Sequence, residues 1–250
     1  MRGAGKLIDF VAVDGVEIER VWKLVEDNIP AALAAAKAGT VLGDPSLTGV
    51  LRDVMVLHYV RAPTTPILFQ RVFEEAYPQQ VRGIVHTYRA ALVAGFRREL
   101  LGLHPAGDGA LEWLVERHTA DTAELLRSPE YVRVRMEETF QRARQFAKNW
   151  PLEIVTAAEG EFLIGDVPVV TTREGGDAHG MLAVALGDAG QIVMPLTPYL
   201  AASVGPEPLY GSVGADVVDE INRRQVLTAV RRVFHRPGAD FHDFITRHRP

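Results

Sequence analysis

The sequence predicts an α+β fold: a helical part over residues 1–150, then a mainly antiparallel sheet with a C-terminal helix over residues 151–250, forming a single domain with two sub-regions. Three observations carry this expectation. Apolar residues recur at three- and four-residue steps before Trp150-Pro151, they come in short runs separated by Gly, Pro and Asp after it, and a helical period returns in "GADVVDEINRRQVLTAVRRVF". At 250 residues the chain can bury a sizeable core, and a hydrophobic share of 47% with a charged share of 24% is that of a globular protein.

The first helical pattern lies in "VEIERVWKLVEDNIPAALAAAKAG", where Ile18, Trp22, Val25 and Ile29 share a face, Pro30 kinks or splits the helix, and Gly39 stops it. The second opens at "DPSLTG", with Asp44 as N-cap, Pro45 in the first turn, and Leu47, Leu51, Val54 and Leu57/His58 as its buried stripe. "RAPTTP" interrupts, because a residue that precedes proline is pushed out of the helical region. Further helical tracts cover about 67–101, "GALEWLVERHTADTAELLR", and "SPEYVRVRMEETFQRARQFAKNW", which Ser128 caps and Pro151 ends. The runs "LEIVTA", "EFLIG", "VPVVTT", "MLAVALG", "QIVMPL" and "YLAASVG" read as strands. The last helix should set Val217, Ile221, Val226 or Leu227, and Val230 on one face, and the polar tail "HRPGADFHDFITRHRP" reads as partly loose.

Composition removes several function classes. A net charge of -5 gives no general attraction to nucleic acid or to an anionic membrane, so a nucleic-acid partner is disfavoured. With no cysteine there is no disulfide, thiolate nucleophile, iron–sulfur cluster or Cys-ligated zinc, which fits a reducing interior. The apolar run near the start is short and broken by Asp9, Asp14 and Glu17, which argues against a signal peptide, and no stretch reaches membrane-spanning length. A cytoplasmic location is the expectation. No Gly-rich phosphate loop, HExxH helix or nucleophile elbow is present, so no cofactor is indicated.

One acid stands out. In "EGEFLIGDVPVVTT" Asp166 sits between two apolar runs, two residues before Pro168. The composition fits a turn between two strands of the sheet, where a carboxylate accepts backbone N–H groups while proline fixes its own φ. A catalytic role needs partners, because no second acid lies beside Asp166 in sequence.

The order of these segments, "EFLIGDVPVV", then "IVMPLTPYLAASVG", then "EINRRQVLTAVRRVFHRP", resembles the uncharacterised domain-of-unknown-function family 4238. Members of that family carry a "TSDNPV"-like turn, a "PLSP"-like strand start, and a helix with an Asn-Arg pair that leads to a short final strand. Here Asp166 and Pro168 match the turn, whereas Gly165 and Val167 stand at its Ser and Asn positions. "PLTP" matches with Thr197 as the hydroxyl, Asn222 and Arg223 match the helix pair, and "HYVRAPTTP" from His58 to Pro66 resembles an Arg-x-Pro segment at a helix end. The resemblance runs from about Val16. The paired histidines and "YLRRF"-like strand with which members usually begin have no counterpart before Val16, through true divergence or a start placed too late; as the chain stands, this and the altered turn favour a chain without catalytic function. The resemblance implies no activity, substrate or cofactor.

Other clusters are weaker. His235, Asp240, His242 and Asp243 are metal-ligand types, but their spacing matches no established motif, and a solvated tail is the simpler reading, so no metal site is assigned. His86, beside Tyr88 and Arg89, offers only the ambiguity of a lone histidine. "RRVFHR" and "FRREL" supply guanidinium forks suited to carboxylate or phosphate, yet water-facing arginines more often pair with neighbouring acids.

Two functional expectations follow. The first is a noncatalytic binding or accessory protein, such as one in a biosynthetic or defence operon, that takes a small molecule or a protein in a cleft; His58, Arg61, Thr197 and Asn222 are its candidate binding residues. The second is a hydrolase-type enzyme with Asp166 as base or metal ligand, helped by Thr197, Asn222, Arg61 and His58. The lost turn residues favour the first. Oligomeric state leaves no mark in the sequence.

Overall fold

The computed structural model describes residues 22–173 and 184–249. The described residues up to Thr65 together with those from Met136 form one compact unit, and Pro66–Arg135 form another.

In the first unit, residues 22–26 are helical, and Pro30 splits the pattern so that a new helix, α1, runs over Ile29–Lys37. Gly39 follows with φ +70°, the left-handed stop that glycine adopts without Cβ strain. Helix α2, Pro45–Val60, begins as expected: the Asp44 carboxylate accepts from the Ser46 and Leu47 N–H groups at 2.9 and 3.2 Å. Its buried residues Leu51, Val54, Met55, Leu57 and Val60 cover more of the helix than a single stripe.

The second unit begins within α3, Thr64–Glu99, which carries Pro78 in its interior and leaves helical geometry at Tyr88 (φ -112°, ψ 23°). Next come α4, Asp108–His118, and α5, Ala120–Arg127, separated at Thr119 where the sequence pattern read as continuous. Val81, Val85 and Phe96 of α3 pack with Leu111, Leu114 and Val115 of α4 as the core of this unit. Helix α6, Pro129–Ala147, starts where Ser128 Oγ accepts from the Tyr131 N–H at 3.1 Å.

The helical period gives way to strands at the expected place. The strands are β1 Leu152–Ala157, β2 Ile164–Gly165, β3 Val170–Thr172, β4 Gln191–Thr197, β5 Leu200–Val204, β6 Leu209–Val213 and β7 Val233–Phe234. Five form one sheet in the order β3-β4-β5-β1-β6, antiparallel except for the parallel β1–β6 pair. Ile192, Val193 and Met194 of β4 and Ala201 and Ala202 of β5 are all buried, so these central strands are covered on both faces.

Several expectations are corrected. "EFLIG" contributes only β2, which leaves the main sheet and pairs with β7, so Asp166 does not join two strands of one sheet. Of the expected strand "MLAVALG", residues 181–183 lie outside the described residues, and Leu186–Asp188 form a 3-10 turn. The tail is not loose: His242–His248 form helix α8. The C-terminal helix α7, Ala215–Thr228, buries Val218, Ile221, Asn222, Gln225 and Val226, whereas Val217 is exposed and Val230 lies beyond the helix end. Val218 and Ile221 pack on Phe162, Val170, Val193 and Ala201, fixing α7 against the sheet.

Candidate functional site

The face of α7 toward residues 161–168 carries two side-chain amides one turn apart, Asn222 and Gln225, both 0% exposed. Asn222 Oδ1 accepts from the Leu163 N–H at 2.7 Å, and its Nδ2 donates to the Glu161 carbonyl at 2.8 Å. Gln225 repeats the arrangement: Oε1 accepts from the Gly165 N–H at 2.7 Å and Nε2 donates to the Pro168 carbonyl at 2.8 Å. The two amides therefore stand in for a neighbouring strand and satisfy a backbone segment that pairs with β7 at only two residues. Gly165 suits this closeness, since a Cβ there would lie 3.0 Å from the Gln225 carbonyl oxygen, tighter than an ordinary contact.

Asp166 closes the same assembly from the other side. Its Oδ1 accepts from the Val230 N–H at 2.8 Å, and its Oδ2 accepts from the Arg231 and Arg232 N–H groups at 2.9 and 3.3 Å. Its own N–H donates to the Arg232 carbonyl at 2.9 Å. These donors lie past the end of α7, outside its backbone ladder, and a two-oxygen anion can take all three. Asp166 is thus a clasp between segments 64 to 66 residues apart in sequence.

The other candidates are placed as follows. Thr197 Oγ1 accepts from the Tyr199 N–H at 3.2 Å within its own turn. Nearby in the chain, Tyr199 donates to Glu161 at 2.9 Å and Arg236 grips the same carboxylate at 2.6 and 3.0 Å; the Arg236 hydrogen bond, with that of Tyr199, holds the Glu161 carboxyl below its usual range. Arg61 pairs with Glu26 at 2.5 Å and lies 4.5 Å above the Trp22 ring. His58 is partly buried beside it, and burial, reinforced by the Arg61 charge and opposed by Glu26, lowers its pKa to about 4. Arg223 and Arg224 both bind Glu220, and the Arg223 hydrogen bond leads in lowering that carboxyl to about 2. Thr197, Asn222 and Asp166 therefore converge on the backbone of 161–168 and 230–232 or on local turns. Among the described residues no hydrogen bond or ion pair links His58 or Arg61 to them.

Directly beyond the clasp lies a pocket of about 330 Å³. It is lined by the apolar residues Val226, Ala229, Val233, Phe234 and Ile245 and by three arginines, Arg231, Arg232 and Arg249. None of the three forms an ion pair among the described residues, in contrast to Arg223, Arg224 and Arg236. The "RRVFHR" run was the sequence signal for two of them; Arg249, Gln225 and the Glu161–Arg236 pair had none that stood out. Among the described residues no three His, Asp or Glu side chains gather as metal ligands, and no helix is long and apolar enough to cross a membrane. His235 packs on Phe241 and His248 on Phe244, at ring distances of 5.9 and 4.4 Å.

No curated protein and no solved structure matches the chain. A family model does, over residues 12–239, the span that holds the clasp, both amides and the first two pocket arginines; the chain belongs to the family described as protein of unknown function, DUF4238.

Proposed function

We propose that this chain is a noncatalytic binding protein whose ligand site is the arginine-lined pocket beyond α7. The observation that supports this reading is the engagement of Asp166: both carboxylate oxygens already hold backbone N–H groups. Three of the roughly four lone-pair sites of the carboxylate are taken by these donors, so service as a base or metal ligand would weaken the bonds that hold residues 230–232. Asn222 spends both of its polar atoms on the backbone. His58, with its pKa lowered to about 4, is a weak proton acceptor at neutral pH. What remains uncommitted is positive charge beside an apolar lining, which suits recognition and not proton transfer.

The test is a thermal-shift screen of the parent and Asp166→Ala against divalent metals, nucleotides and carboxylate metabolites, because a ligand of the folded state raises the melting point by mass action. The reading expects the variant to melt lower and to retain a response to anions. A metal-dependent shift in the parent that vanishes in a folded Asp166→Ala protein would instead favour the hydrolase alternative.

A further inference from the structure

The geometry points to the ligand class of this pocket: a soluble anion with a phosphate or carboxylate head held by Arg231, Arg232 and Arg249, and a short apolar body seated on Val226, Val233, Phe234 and Ile245. This rests on the binding reading above and narrows it. The charge is local. Residues 231–249 hold five arginines and two aspartates, in a chain whose net charge is -5. Other arginines on or near α7 have a carboxylate: Arg223 and Arg224 share Glu220, and Arg236 takes Glu161. The three pocket arginines do without one among the described residues, so their forks are available for an oxyanion from solution, and bidentate pairing with carboxylate or phosphate is what the planar guanidinium does best.

The frame that presents them is fixed. The backbone N–H groups of Arg231 and Arg232 are tied to Asp166, and Arg249 sits at the C-cap of α8, tied through its N–H to the Ile245 carbonyl at 2.9 Å. Asp166 meets this loop through three backbone N–H groups, and among the described residues it forms no ion pair with the side chains of Arg231, Arg232 or Arg249. A fixed backbone frame loses less freedom on binding than a loose basic tail would. The pocket lies at the lower end of the size range of small-molecule sites, which favours a compact monoester or monocarboxylate over a long chain.

The experiment is isothermal titration calorimetry with hexyl phosphate, inorganic phosphate and hexanol, beside a co-sedimentation arm with phosphatidylcholine vesicles containing phosphatidylglycerol. Hexyl phosphate should bind, inorganic phosphate should bind at least about tenfold more weakly for want of apolar contact, and hexanol should not bind. Arg249→Gln, and separately Arg231→Gln with Arg232→Gln, should each weaken hexyl phosphate at least about tenfold with the melting temperature unchanged. The inference is overturned if hexyl phosphate fails to bind, if hexanol binds equally, if the glutamine variants bind as the parent does, or if the parent takes up anionic vesicles but not the soluble ester. Release of phosphate from bound hexyl phosphate would support the site while overturning the noncatalytic reading, so the two fail separately.

Discussion

The two flanks of α7 treat polar groups in opposite ways. On the side of residues 161–168, the amides of Asn222 and Gln225 and the carboxylate of Asp166 are all matched to backbone partners. Over 231–249, Arg231, Arg232 and Arg249 border a pocket and form no ion pair among the described residues. A saturated polar network specifies structure, because every removal strands a partner. Charges without partners contribute little to folding and are free to meet a ligand. The comparison separates residues that look functional in sequence from those that are available for function.

The comparison breaks most readily at the amides. Asn222→Leu strands the Leu163 N–H and the Glu161 carbonyl, and Gln225→Leu strands the Gly165 N–H and the Pro168 carbonyl. Each should cost about 3 kcal/mol in urea unfolding, and a loss below about 1 kcal/mol would mean that the segment does not depend on them.

A control outside both flanks comes from His58. Its folded pKa of about 4 lies below the ordinary histidine value, so between those two pH values the unfolded chain binds a proton that the folded chain refuses. Stability is therefore complete above about pH 6.5 and falls as the pH drops toward 4, by on the order of 2–3 kcal/mol in all. Denaturation at pH 7 and 4.5 should show this loss in the parent, and it should be absent in His58→Gln.

Asp166→Ala removes the acceptor of three partly or fully exposed N–H groups and should cost about 2 kcal/mol, read as a lowered midpoint with an unchanged denaturant slope. The smallest effect belongs to the opposite flank. Replacing Arg231, Arg232 and Arg249 together by glutamine should change stability by no more than about 0.5 kcal/mol, the ordinary range for surface substitutions. A larger loss there would show that these arginines have structural work and would erase the contrast.

The local physics of the fold was legible. Asp44 capping α2, Pro30 splitting the first helix and Ser128 opening α6 each depend on neighbours within a few residues, and each is found. The β6 strand went unread because Leu209–Val213 is a partly exposed edge strand without strict apolar alternation, defined by its parallel pairing with β1. Helix α8 was read as a loose tail because seven residues rich in charge and histidine give too little periodicity to separate a helix from coil. At the site, the turn composition around Asp166 announced an acceptor of backbone N–H groups, but not that the donors come from residues 230–232, since that pairing depends on how α7 lies against the sheet. Gln225 was within reach, as it stands three residues after Asn222 on the same helical face. Arg249 could not be joined to Arg231 and Arg232 until α8 folded back beside the end of α7.

The central claim is that the Asp166 carboxylate is occupied as a backbone clasp, and hydrogen exchange at single-residue resolution tests it directly. In the parent the amides of Val230, Arg231 and Arg232 should be protected, and in Asp166→Ala they should exchange freely while the amides of α7 keep their protection. Equal exchange at these three positions in parent and variant would contradict the clasp, free the carboxylate for chemistry, and return Asp166 to the list of catalytic candidates.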